Sequence, residues 1–151
     1  MQKTIIALVL FGLATAASVA SNESEVLAPV HQFVESFNKG DVTAAPAGCS
    51  DVISIIDDFP PFGWQGTDAC AKWMDSYKAF AAANGITDMV ITLENPTHVD
   101  IVDDRAYVVV PANYTLKKAG KIVKKTGSIL TIVLLKGASG WHLTAWAWAD
   151  G

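Results

Sequence analysis

The chain reads as an α+β domain in which helices from its first half cover one face of a bent antiparallel sheet. Three observations predict this class. Helical periodicity is confined to the part before Gly85, and strand-length apolar segments occupy the part after it. Those later segments are joined by Asp103-Asp104, by Ala119-Gly120 and by Gly137 to Gly140, and three short connections in succession make an antiparallel meander. The last segment, Gly140 to Ala149, carries Trp141, Trp146 and Trp148. On a regular strand Trp146 and Trp148 share one face, while Trp141, Leu143, Ala145 and Ala147 share the other. A segment apolar on both faces belongs in the middle of a sheet.

Residues 1–20 stand apart. Lys3 precedes an apolar run from Ile5 to Ala17, and Ser18-Val19-Ala20 ends it with small residues at both cleavage-site positions. The run is shorter than the ~20 residues that span a bilayer, so it reads as a secretory leader cleaved near Ala20/Ser21. The expected mature chain, residues 21–151, is a single secreted or periplasmic domain with no stable membrane insertion. The full chain has 11 basic and 15 acidic residues; without Lys3 the balance is 10 − 15 = −5. A nucleic-acid binder would need a basic face, so that class is excluded. In an oxidising compartment the pair Cys49 and Cys70 points to a disulfide, worth roughly 3 kcal/mol in the chain-entropy model; two buried thiols are the alternative.

Ser24 is placed to cap a helix whose apolar positions Val26, Val30, Phe33, Val34 and Phe37 recur at helical spacing, with Pro29 near its first turns and Gly40 as its stop. Asp41 caps a second, short helix through Val42 to Ala45, which Pro46 and Gly48 end. Val52 to Ile56 is a β-branched run and reads as a buried strand closing in Asp57-Asp58. Phe59 to Trp64, with paired prolines, takes an extended path whose rings cover something. Thr67 and Asp68 open a third helix, the longest cover, with Cys70, Trp73, Tyr77 and Phe80 in one stripe toward the sheet. Gly85 stops it. Met89 to Glu94 and Thr97 to Val102 form one long strand bent at Pro96, and Ala106 to Leu116 and Ile122 to Leu135 complete the meander.

Three local signatures sit in this order: Phe37-Asn38-Lys39-Gly40-Asp41, Trp64-Gln65-Gly66-Thr67-Asp68-Ala69, and Gly140-Trp141-His142-Leu143. With the element order, they resemble the nuclear transport factor 2-like superfamily, in particular its SnoaL-like branch, over Val26 to Ala149. The resemblance implies a cone with an apolar pocket between sheet and helices, and a homodimer through the outer sheet face. It implies no single activity, because the superfamily holds ketosteroid isomerases, polyketide cyclases, dehydratases and epoxide hydrolases beside domains that only bind.

In relatives that catalyse, a pocket carboxylate is the base. By position the candidates here are Asp57 and Asp58, of which at most one faces inward. His31, on the first helix, is placed to look into the cone; His98 shares a face with Asp100, and His142 with Trp146 and Trp148. A histidine near Asp57 or Asp58 would resemble the scytalone dehydratase pair. An Asp-Arg-Asp site like that of limonene epoxide hydrolase is disfavoured, since Arg105 is the only arginine. No histidine pair has metal-ligand spacing and no glycine-rich phosphate loop appears, so neither metal nor cofactor is expected. Trp64, Trp73, Tyr77, Tyr107, Tyr114, Trp146 and Trp148 are the candidate pocket wall, because each offers an apolar body with a polar tip. Lys117, Lys118, Lys121, Lys124 and Lys125 flank a hairpin turn, a solvated tip or a contact for an anion. Asn22-Glu23-Ser24 and Asn113-Tyr114-Thr115 match the glycosylation acceptor pattern. Three functions fit: a binder of a small apolar molecule, an isomerase, cyclase or dehydratase using a carboxylate base with a tyrosine or histidine donor, and a protein-interaction module using the outer sheet face.

Overall fold

The structure, a computed structural model, describes residues 12–151, with side chains from Asn22 onward. The start of the expected leader, to residue 11, lies outside the described residues. Among the described residues no helix is long and apolar enough to cross a membrane. The elements are α1 (Gly12–Asn38), a 3-10 turn (Ala45–Gly48), β1 (Cys49–Ile56), β2 (Gly63–Thr67), α2 (Ala69–Ala83), β3 (Ile86–Leu93), β4 (His98–Val102), β5 (Arg105–Lys118), β6 (Lys121–Gly137) and β7 (Gly140–Ala149).

The seven strands form one curved, unclosed sheet in the order β2-β1-β7-β6-β5-β3, with β4 on β5 beside β3. The α+β class holds, with helices on one face of a curved sheet. One expectation is corrected: the sheet is mixed, because β1 lies parallel to β7 (Ile55 opposite Trp146). A parallel pair requires a long crossover, and here α2 and the whole meander lie between the two strands. The meander itself is antiparallel throughout. β3 and β4 both pair with β5, one at each end, on either side of Pro96, so they act as a single bent strand. β7 is flanked by β1 and β6, the interior place in the sheet that its apolar content predicted.

Helix boundaries also differ from expectation. α1 begins by Gly12 and runs through Ser24, so Ser24 caps nothing and Pro29 lies in the helix interior; the alanine-rich stretch before Ser21 contains no breaker to stop it. This makes α1, not α2, the longer helix. Asp41 does cap, accepting the Thr43 and Ala44 N–H groups at 3.1 and 2.9 Å, but the segment after it makes only one 3-10 turn, which includes Pro46. Two helices and this turn therefore replace the expected three helices. Asp68 precedes α2 with a left-handed backbone (φ 59°) and makes no capping bond with its carboxylate. The path after Phe59 becomes β2, paired with β1.

Asn38 explains part of the first signature. Its side chain donates to the Ile91 carbonyl and accepts from the Ile91 N–H, both at 2.8 Å, pinning the end of α1 to edge strand β3. Gly40 then takes a φ of 69° that lets the chain turn away.

Two β-bulges decide which side chains reach the interior. In β7 both Leu143 and Ala145 are matched to successive residues of β6, Leu134 and Val133, so Thr144 is an extra residue. The core face switches there from odd to even positions, and Trp141, Leu143, Trp146 and Trp148 all point the same way. The predicted division of the tryptophans between two faces is thereby overturned, and His142 is moved to the outer side, bonded to Ser139 at 2.8 Å. In β6 two residues, Thr126 and Gly127, fill the interval between Lys125 and Ser128 that β5 spans with Asn113 alone. Gly127, at φ 83°, supplies the left-handed residue of this bulge, and its N–H donates to the Asn113 side chain. Inward positions on β6 are even from Ser128 to Leu134 and odd from Lys125 toward the hairpin tip.

Candidate functional site

The concave face of the sheet and the two helices enclose a cavity of about 280 Å³. α1 contributes Phe33 and Phe37 and α2 contributes Trp73, Tyr77 and Phe80, each at the helical spacing that puts one stripe on the sheet. β7 contributes Trp146 and Trp148. The rings form a continuous set: Trp73 meets Trp146 edge-on at 5.0 Å, Phe37 lies 5.0 Å from Tyr77, and Phe59 stacks on Phe80 at 5.2 Å. Such contacts hold the wall in fixed rotamers.

One buried carboxyl enters this wall. Along β1 the inward residues are Ile53 and Ile55, and continuing the alternation brings Asp57 to the same side, 8% exposed. Its Oδ2 accepts the Trp73 indole N–H at 2.7 Å and its Oδ1 accepts the Asp58 backbone N–H at 2.8 Å. Burial raises the Asp57 pKa from 3.8 to about 7, against the lowering effect of the Trp73 and Asp58 bonds. Near neutral pH the group therefore exchanges its proton readily. Tyr77 lines the same cavity, and burial followed by the charge of Asp57 pushes its phenol up to about 12, so it is a proton donor at any ordinary pH. Asp58 is exposed and lies at the cavity mouth.

The remaining sequence candidates divide clearly. Tyr114 lines the cavity, its hydroxyl pKa raised by burial and then by the charge of Asp150. Trp64 is buried but outside the cavity, donating its N–H to Ser76 at 3.0 Å and packing on Phe59. Tyr107 is 44% exposed on the outer sheet face, against His98. His31 is exposed on the outer side of α1 and does not look into the cone. With His98 and His142 also facing out, no histidine lines the cavity. Cys49 and Cys70 form a disulfide that ties the start of β1 to the first turn of α2, with Cα atoms 6.6 Å apart. Among the described residues no group of three or more His, Cys, Asp or Glu side chains stands together as a metal-ligand set.

Sequence reasoning did not place Phe59, Lys118 or Lys125 on the wall, yet all three line it. Phe59 belonged to a segment read only as cover; Lys118 follows the unbroken alternation of β5, and Lys125 turns inward because of the Gly127 bulge in β6. Trp146 has a second unanticipated property: its N–H is buried without a hydrogen-bond acceptor.

A bent sheet closed by helices over an apolar hollow is the cone of the nuclear transport factor 2-like proteins, and solved structures of that class superimpose on this one. An NTF2-like protein with a cystatin-like fold from Novosphingobium aromaticivorans is 17% identical, with 94% of this chain and 90% of that one covered at a TM-score of 0.72. A ketosteroid isomerase-like protein from Erwinia carotovora atroseptica is 19% identical, with 84% and 94% covered at 0.66. An NTF2-like superfamily protein from Salmonella enterica is 14% identical, with 87% and 92% covered at 0.72. At these identities the likeness is one of fold. The family model for the SnoaL-like domain matches residues 26–147, and the chain belongs to that family. No curated protein matches it.

Proposed function

We propose that this domain binds a small, mainly apolar molecule in its cone. The observation that carries this reading is the cavity itself, which lies near the lower end of the ~300–1,000 Å³ range of ligand pockets and is walled by fixed aromatic rings around few polar groups. The leader pattern and the Cys49–Cys70 bridge support a site of action outside the cytoplasm. The test is a screen of small apolar compounds read by tryptophan fluorescence, since Trp73, Trp146 and Trp148 line the space a ligand would enter. Leu116→Trp, at a half-buried lining position, is expected to fill the cavity and weaken any hit at least tenfold while the melting temperature holds. A hit that binds the variant as tightly as the parent binds elsewhere, and the reading is lost.

A second reading, catalysis of proton transfer on the bound molecule, is favoured by the inward carboxyl. Asp57 combines an apolar setting with a pKa of about 7, which suits a general base or acid, and Tyr77 on the same wall supplies a neutral donor. Once a substrate is found, kcat/KM should rise with pH through a limb near 7 if Asp57 is the base, and Asp57→Asn should lower it by about 10²- to 10⁴-fold. Unchanged turnover in that variant would leave binding alone.

A further inference from the structure

The cavity has one chemically distinct end. All 15 acidic residues lie outside the stretch from Arg105 to Ala149, which carries six lysines, although the chain as a whole has a net charge of −4. Five of those lysines lie between positions 117 and 125, on the β5–β6 hairpin. Cross-strand partners share a face, so Tyr114 with Lys125, Leu116 with Val123 and Lys118 with Lys121 form successive rungs on one side, while Lys117 with Ile122 and Thr115 with Lys124 lie on the other. The first side is the cavity side: Tyr114, Leu116, Lys118, Val123 and Lys125 all line it.

The two cavity lysines are engaged differently. Lys125 lies 3.2 Å from Asp150, whose carboxylate also accepts from Ser128 and Tyr114, so one of the three lysine donors is used and part of its charge is already offset. Among the described residues Lys118 has no carboxylate within 4.0 Å, and its rung partner is another lysine. Like charges directly across a ladder repel, and a bound anion would relieve that. Asp57 and Asp58 also enter the lining, just past the end of β1, and the charge of Asp58 reaches Tyr114, so an anion is favoured beyond that rung, toward Lys118. Lys118 stands four residues beyond Tyr114, roughly 13 Å farther along the strand, while Lys125 lies on the Tyr114 rung itself, so the cationic end runs from the edge of the aromatic wall outward to Lys118.

Resting on the binding reading above, we propose that the natural ligand is an anionic amphipath, held with its apolar body among the rings of α1, α2 and β7 and its carboxylate or comparable anionic group against Lys118 and Lys125. The bulge at Gly127 is the device that creates this polarity, since it turns Lys125 and Val123 inward and leaves Lys124 outside.

The test uses matched probes that differ only in charge: decanoate and 1-decanol, and 2-naphthoate and 2-naphthalenemethanol, each titrated into the mature protein by calorimetry at pH 7.5 and low salt. Each acid should bind about five- to tenfold tighter than its alcohol, with the preference shrinking as salt rises. Lys118→Gln with Lys125→Gln should remove the preference by weakening the acids toward the affinity of the alcohols, whereas Lys117→Gln with Lys124→Gln, an equal loss of charge on the outer side, should retain it. Alcohols binding as tightly as acids, or a preference abolished equally by both double variants, would overturn the anionic class while leaving apolar binding intact. Failure of all four probes to bind would remove the binding reading and this one together.

Discussion

Asp57→Asn is expected to flatten the dependence of stability on pH between about 4 and 8 and to make the protein more stable than its parent at pH 8. The folded-state pKa of Asp57 is raised from 3.8 to about 7, so between those values the native state holds a proton that the unfolded chain has released. Stability from this group is therefore fully present below about pH 4, declines as pH rises through the window, and is gone above about pH 7. The difference of about 3 pH units corresponds to on the order of 4 kcal/mol, the cost of an ionised carboxylate in an aromatic wall. Asparagine removes that cost but has one oxygen for two donors, the Trp73 indole and the Asp58 amide, and so gives up about 1 kcal/mol at acid pH. Chemical denaturation of both proteins at pH 4, 6 and 8 measures the crossing. Parallel curves would mean that Asp57 ionises in the folded state as it does in water.

The second large effect is expected from Cys49→Ser with Cys70→Ser. The bridge closes a loop of 21 residues, and its removal should cost roughly 3 kcal/mol, a fall in melting temperature of about 10 °C for a domain of this size. Its position gives the loss a local consequence. Trp73 lies one helical turn after Cys70, so the bridge holds the indole whose N–H meets Asp57. Loosening that end of α2 exposes Asp57, and the acid-to-neutral stability difference should shrink along with the total. A double-serine protein that melts with its parent and keeps the same pH dependence would show that packing alone fixes α2.

Periodicity exposed much of the architecture. The stripe Cys70, Trp73, Tyr77, Phe80 lies on one face of α2 toward the sheet, and the meander takes its predicted turns, because helix and strand periods are local properties of the chain. The parallel β1–β7 pair was invisible, since nothing local states which distant strand a buried strand adjoins. Asp57 illustrates the limit at one residue. Val52, Ile53, Ile55 and Ile56 are alike in composition, yet Val52 and Ile56 are 63% and 61% exposed while Ile53 and Ile55 are buried. With both faces equally apolar, alternation could separate Asp57 from Asp58 but could not say which of them faced in.

The same limit applied to the tryptophans and lysines. Counting by twos from Trp141 places Trp146 on the opposite face, and counting by twos along β6 misassigns Lys125, because each strand contains one residue more than its partner. By itself the sequence determined the class of fold, the helical stripe, the meander and the cysteine pair, all of which come from spacing and composition. Only the tertiary structure decided which carboxyl, which rings and which lysines share the cavity, because a bulge reverses every side chain beyond it and shows itself only in how neighbouring strands pair.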